Sequence, residues 1–162
     1  MYSKNFDINK NFQSSVNLDL DLENESRIYE YVPTTDICDV LKRYVKAVLG
    51  KTKDRATTLV GPYGKGKSFL LLVLTYIVSK NKGTKCWKIL AEKIKRVDDE
   101  LYQLLIELKE KNISLLPVII NSNYDNLDQS FMLALCDTLK RESMESIIPK
   151  NAYSVALDTI NK

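Results

Sequence analysis

The chain has 162 residues, a net charge of +3, 44% hydrophobic residues and 28% charged residues, the profile of one globular domain or of a piece of a larger one. No apolar run approaches the ~20 residues of a membrane span, and the start Met1–Asp7 lacks a secretory apolar segment, so a cytoplasmic protein with no membrane partner is expected. The absence of histidine excludes His-based triads, His metal sites and His general bases, and Cys38, Cys86 and Cys136 are too widely spaced for a metal cluster and read as small apolar residues of a reducing compartment.

Residues 1–27 read as an acidic N-terminal arm, and residues 1–30 hold three basic and six acidic side chains, a net of −3. Alternation from Val16 to Leu22 allows a strand with one apolar face, and an irregular arm fits the same composition. Ile28 to Val32 reads as extended, with Pro33 biasing Val32 away from helical angles. A helix over 36–49 then opens at Thr35 or Asp36. Its apolar residues Ile37, Val40, Leu41, Tyr44, Val45, Val48 and Leu49 recur at helical spacing, and Gly50 terminates it.

After a polar connection, Ala56 to Val60 is a predicted strand and Phe69 to Val78 a helix apolar nearly all round. Between them, Gly61-Pro62-Tyr63-Gly64-Lys65-Gly66-Lys67-Ser68 fits G-x-x-x-x-G-K-[ST], the phosphate-binding loop. The residue types suit that chemistry. Glycines let the backbone wrap closely around a phosphate, and the loop N–H groups converge on its oxygens. The helix start, with Phe69 in its first turn, adds free N–H groups and the positive end of a dipole. Lys67 supplies charge to the β- and γ-phosphates and Ser68 a hydroxyl to Mg²⁺. ATP and Mg²⁺ are the expected cofactors, with residues 61–69 as the binding set and Ser68 as the metal ligand.

Residues 80–96 hold seven basic side chains against Glu92 alone, a net of +6. They form a candidate surface for a nucleic acid or protein, although a solvated helix face has the same composition. Apolar positions Leu90, Ile94, Val97, Leu101, Leu104, Leu105 and Leu108 predict a long amphipathic helix over 87–111. Leu115 to Ile120 reads as a second buried strand. A polar turn and a helix from about Asp128 to Ser146 follow, with Phe131, Met132, Leu135, Leu139 and Met144 as its apolar face. Pro149 breaks it, and 152–161 reads as the start of another helix. Strand, turn and helix in this order predict an α/β fold, a P-loop NTPase-like parallel sheet flanked by helices. Residues 28–162 would be the N-terminal part of a larger domain.

ATP hydrolysis needs an acid at the end of an apolar strand to orient Mg²⁺ and water. The second strand ends in Asn121, which lacks that charge. Either the acid lies beyond Lys162 or Asn121 is a degenerate substitute; two strands alone make a poor parallel sheet, which favours the first reading. Asp125, in the turn beyond, is the other candidate catalytic residue, in a position where Asp is common for local reasons.

The loop at 61–68 resembles the Gly-Pro-Pro-Gly-Thr-Gly-Lys-Thr form of AAA+ ATPases and related initiator-type ATPases, and the helix at 36–49 is similar to their layout. More weakly, the Gly-Lys-Ser loop and Leu-rich helix resemble large bacterial ATP-binding proteins of phage-defence systems. The AAA+ resemblance covers about residues 28–126. It implies an ATPase that oligomerises through this domain and couples nucleotide state to a protein or nucleic-acid partner, with Tyr31 and Val32 beside the adenine. Two alternatives stay open: a small-molecule kinase, although some 55 residues precede the loop strand and no lid pattern follows, and a non-hydrolysing nucleotide-binding module.

Overall fold

The computed structural model describes residues 16–22, 24–54, 56–62, 66–79, 82–120 and 126–148. Every regular element among them is a helix: α1 Leu18–Asp21, α2 Glu25–Glu30, α3 Thr35–Val48, α4 Lys67–Ser79, α5 Lys85–Lys95, α6 Asp99–Glu110, α7 Leu127–Arg141, and a short 3-10 turn, Glu145–Ile147. The chain divides into two units, one ending at Leu116 and the other starting at Pro117.

The expected parallel sheet is overturned, because no strand exists among the described residues. Strand residues owe their regular structure to hydrogen bonds with a neighbour, and neither predicted strand has a ladder partner among the described residues. Ala56–Val60 runs as unladdered coil, with Val60 90% exposed. At 115–120, the Leu115 N–H instead donates to the Val78 carbonyl at the end of α4, at 2.9 Å, and Pro117 has no N–H to offer. The α/β assignment therefore gives way to a helical architecture.

In the first unit, α3 packs on α6, α6 on α5, α5 on α2, and α4 on α3 and α1. The predicted stripe of α3 buries Leu41 and Val45 together with Cys38. Gly50, at φ +74°, then closes α3 in the left-handed region that favours glycine, and the Lys51 N–H reaches back to the Lys46 carbonyl at 2.8 Å.

The single helix expected over 87–111 is two helices folded against each other. Thr84 caps α5 through the Trp87 N–H at 3.2 Å. At the break, Asp98 donates its own N–H to the Ile94 carbonyl and accepts from the Leu101 N–H at 2.9 Å, so one residue closes α5 and caps α6. The hydrophobic stripe runs through this corner, burying Leu90, Ile94, Leu101, Leu104, Leu105 and Leu108, but leaves Val97 40% exposed at the bend.

Ion pairs then fasten α6 to α3. Lys42, also paired with Asp39 within α3 at 3.0 Å, meets Asp98 at 2.7 Å, Lys46 meets Glu100 at 2.7 Å, and Lys51, just beyond α3, pairs with Glu107. Burial alone would raise the Asp98 carboxyl, but the Lys42 ammonium and the Leu101 and Glu100 N–H groups more than offset this and hold it below its ordinary value.

Residues 16–22 form one helical turn instead of a strand. Asp21 is buried in an ion pair with Arg27 at 3.0 Å, and Leu22 is buried beside it in sequence. The extended run expected at 28–32 begins as the end of α2, so the boundary drawn between residues 27 and 28 falls inside that helix.

α4 is the apolar helix the sequence foretold. It buries Leu70, Leu72, Val73, Tyr76, Ile77 and Val78, and its Thr75 and Ser79 hydroxyls satisfy themselves on carbonyls four residues back, both at 2.7 Å. The Tyr76 hydroxyl bonds Glu25 of α2 at 2.6 Å. The Trp87 indole, 2% exposed, donates to the Ile77 carbonyl at 3.4 Å.

In the second unit, α7 is capped by Asn126, whose side chain accepts from the Asp128 N–H at 2.9 Å. It ends at Arg141, earlier than the expected stop at 146, and Ser143 just beyond it takes the left-handed region, φ +56°. Leu139 is buried, but Phe131 and Met144 of the expected apolar face are exposed. The helix start expected at 152–161 lies outside the described residues.

Candidate functional site

The phosphate-loop motif folds where α4 begins. Leu70 donates the first helical hydrogen bond, to the Gly66 carbonyl at 2.9 Å, so the N–H groups of Lys67, Ser68 and Phe69 precede the helical ladder and have no acceptor within the helix. They open at the positive end of a 13-residue helix. Gly66 stands at φ +77°, and a Cβ placed there would meet nothing within 4 Å. Glycine is thus required at 66 for its backbone angle and not for lack of room.

The Lys67 side chain folds back over the loop. Its ammonium donates to the Gly61 carbonyl at 2.8 Å and the Pro62 carbonyl at 2.7 Å. The first two residues of the motif and its lysine are therefore in contact, with Gly61, Pro62, Gly66 and Ser68 exposed around them. Tyr63, Gly64 and Lys65 lie outside the described residues, as do the catalytic candidates Asn121 and Asp125.

The arrangement can hold an anion. The Lys67 ammonium, three helix N-terminal N–H groups and an exposed Ser68 hydroxyl are the group types that a phosphate chain and its Mg²⁺ require, with the remaining metal ligands coming from phosphate and water. No cluster of three or more Cys, Asp or Glu suited to a metal occurs among the described residues, so Ser68 is the metal-ligand candidate within that set.

The two residues that the AAA+ resemblance places beside adenine separate. Tyr31 is 2% exposed and packs edge-on against Phe69, with ring centres 5.2 Å apart at 83°. Its ring is part of the core, with no open face for a base. Its hydroxyl has no hydrogen-bond partner among the described residues, and burial, then the nearby Cys38, pushes its pKa far up. Val32 is 72% exposed. The link between Tyr31 and the first turn of α4 is a contact that spacing in sequence does not reveal.

The basic region 80–96 also divides, and Lys80 lies outside the described residues. Lys82 is buried, which lowers its pKa. Lys93 points inward and donates to the Tyr29 and Tyr31 carbonyls at the end of α2. Lys95 lies over the Tyr102 ring, 4.9 Å from its centre. Lys85, Lys88, Lys95 and Arg96 are exposed, and Glu92 falls in the same helical stripe. Four cations interrupted by an acid make a modest surface, smaller than the sequence count implies.

No helix among the described residues is long and apolar enough to cross a membrane. Cys38 and Cys86 are buried thiols, and Cys136 is half-buried. No protein-family model matches the chain, and neither a curated protein nor a solved structure matches it.

Proposed function

We propose that the chain binds the phosphates of a nucleoside triphosphate, as its Mg²⁺ complex, on residues 61–69. The observation that carries this reading is the Lys67 ammonium, held by the Gly61 and Pro62 carbonyls above the open start of α4. The reading depends on the loop and the start of α4 alone, because the strand that the motif's usual context places before the loop does not form at 56–60.

Hydrolysis of ATP coupled to a protein or nucleic-acid partner in the cytoplasm, with oligomers forming through this domain, is the wider proposal, and it rests on the loop's resemblance to AAA+ ATPases and on the basic residues of 80–96. The test is nucleotide titration with and without Mg²⁺ on the wild type and on Lys67→Ala. Loss of a charge-assisted contact should weaken binding about ten- to a hundredfold. A wild type indifferent to both ATP and GTP at millimolar levels removes the proposal. Turnover that persists in Asn121→Ala and Asp125→Ala would place the catalytic acid elsewhere. Salt-dependent nucleic-acid binding that survives charge reversal at Lys88, Lys95 and Arg96 would remove α5 as the contact surface.

A further inference from the structure

We infer that the first unit carries a second small-molecule site, separate from the phosphate loop and suited to a zwitterion with an apolar side group, the chemistry of a free hydrophobic amino acid. The site is a cavity of about 250 Å³. Room for roughly eight water volumes admits a molecule of on the order of ten heavy atoms. One wall is the face of α3 bearing Arg43, Tyr44, Ala47 and Val48; these are two pairs four residues apart, which a helix presents side by side. Asp54 and Thr57, from the segment that leads to the loop, and Leu115 complete the lining, and Arg43, Asp54, Thr57 and Leu115 are exposed at its mouth.

Leu115 also fixes the place of the cavity in the fold. Its N–H is bonded to the Val78 carbonyl at 2.9 Å, in the last turn of α4. Val78 is eleven residues beyond Lys67, about 16 Å along the helix axis. The Leu115 side of the cavity therefore lies at the opposite end of α4 from Lys67.

Charge chemistry selects the ligand. On α3, Lys42 and Lys46 both hold carboxylates. Arg43, between them in sequence, makes no ion pair among the described residues, and neither does Asp54. A guanidinium offers a forked pair of donors to a carboxylate, and the Asp54 carboxylate accepts from an ammonium. Ala47, Val48 and Leu115 supply the apolar surface, and Leu115 is 44% exposed. A simple anion would meet the Asp54 charge and a simple amine the Arg43 charge, whereas a zwitterion satisfies both.

The test is titration of the full chain, by calorimetry or by chemical-shift mapping, with L-leucine and L-phenylalanine. 3-Phenylpropionate, which lacks the ammonium, and phenethylamine, which lacks the carboxylate, are the comparison probes. Saturable binding of an amino acid at millimolar concentration or below is expected, weakened about tenfold or more in either comparison probe and in Arg43→Gln and Asp54→Asn. Ala47→Leu should abolish it by filling the cavity with every charge retained, while Lys67→Ala leaves it unchanged. Circular dichroism confirms that each variant folds; if Ala47→Leu does not, the two charge variants decide. Absence of saturable binding, equal binding of a comparison probe, or loss in Lys67→Ala overturns the inference, and none of these outcomes bears on nucleotide binding at the loop.

Discussion

Two kinds of apolar segment in this chain meet opposite fates. Leu101, Leu104, Leu105 and Leu108 of α6 are all buried, and the helix bearing them is fastened to α3 by ion pairs at Lys42 and Lys46. Leu59 and Val60, and Leu115 and Ile120, are as apolar, yet Val60, Leu115 and Ile120 are exposed on chain that forms no ladder. A helix closes its hydrogen bonds within itself and needs neighbours only for packing. An extended run needs neighbours for both. Apolar composition alone therefore supports the helices and leaves the extended runs without regular structure.

The sharpest way to break the comparison is to truncate one apolar side chain to alanine on each side. Leu105→Ala, at 1% exposure, should cost about 3 kcal/mol in chemical denaturation, whereas Val60→Ala should stay within about 0.5 kcal/mol. A large loss from the second would mean that the 56–60 segment packs in solution.

Asp98→Ala removes the cap of α6 and the Lys42 partner together, for an expected loss of about 2 kcal/mol by the same measurement. Because the folded Asp98 carboxyl lies below its ordinary value, its contribution is fully present above the unfolded pKa and disappears as pH falls through the folded one. The acid limb of the stability curve should therefore flatten in Asp98→Asn.

Gly66→Ala forces a side chain into the left-handed region with no compensating contact, at a cost of about 1 kcal/mol. Nucleotide titration of this variant separates the loop's conformation from its charge. Thr84→Ala should be the smallest of these effects, below about 1 kcal/mol in the same denaturation assay, because it removes the α5 cap and a 3.2 Å contact to the Tyr76 hydroxyl. Equal losses from Thr84→Ala and Leu105→Ala would show that caps rather than packing hold the frame.

What was legible in the residues follows the same division. The stripe of α3, its stop at Gly50 and the apolar run of α4 depend on neighbours three or four positions away, and each formed. The break at Asp98 was hidden because the leucine spacing continues through it, and only the capping role of that carboxylate distinguishes a corner from a straight helix. The strand readings at 56–60 and 115–120 failed because pairing depends on residues distant in sequence, which composition does not supply. At the loop, the motif identified Gly61, Gly66, Lys67 and Ser68, and the structure brings Lys67 to Gly61. The inward turn of Lys93 and the edge contact between Tyr31 and Phe69 arise from packing between α2, α4 and α5, and no local pattern encodes them.

The chain's single tryptophan has an optical consequence. With its indole sealed at the seam of α4 and α5, emission excited selectively in the tryptophan band, beyond the absorption of the nine tyrosines, reports that one seam. The Lys67 end of α4 lies about 15 Å away along the axis, so a ligand that merely settles into the loop should leave the spectrum still, and one that tilts the entire rod should redden it.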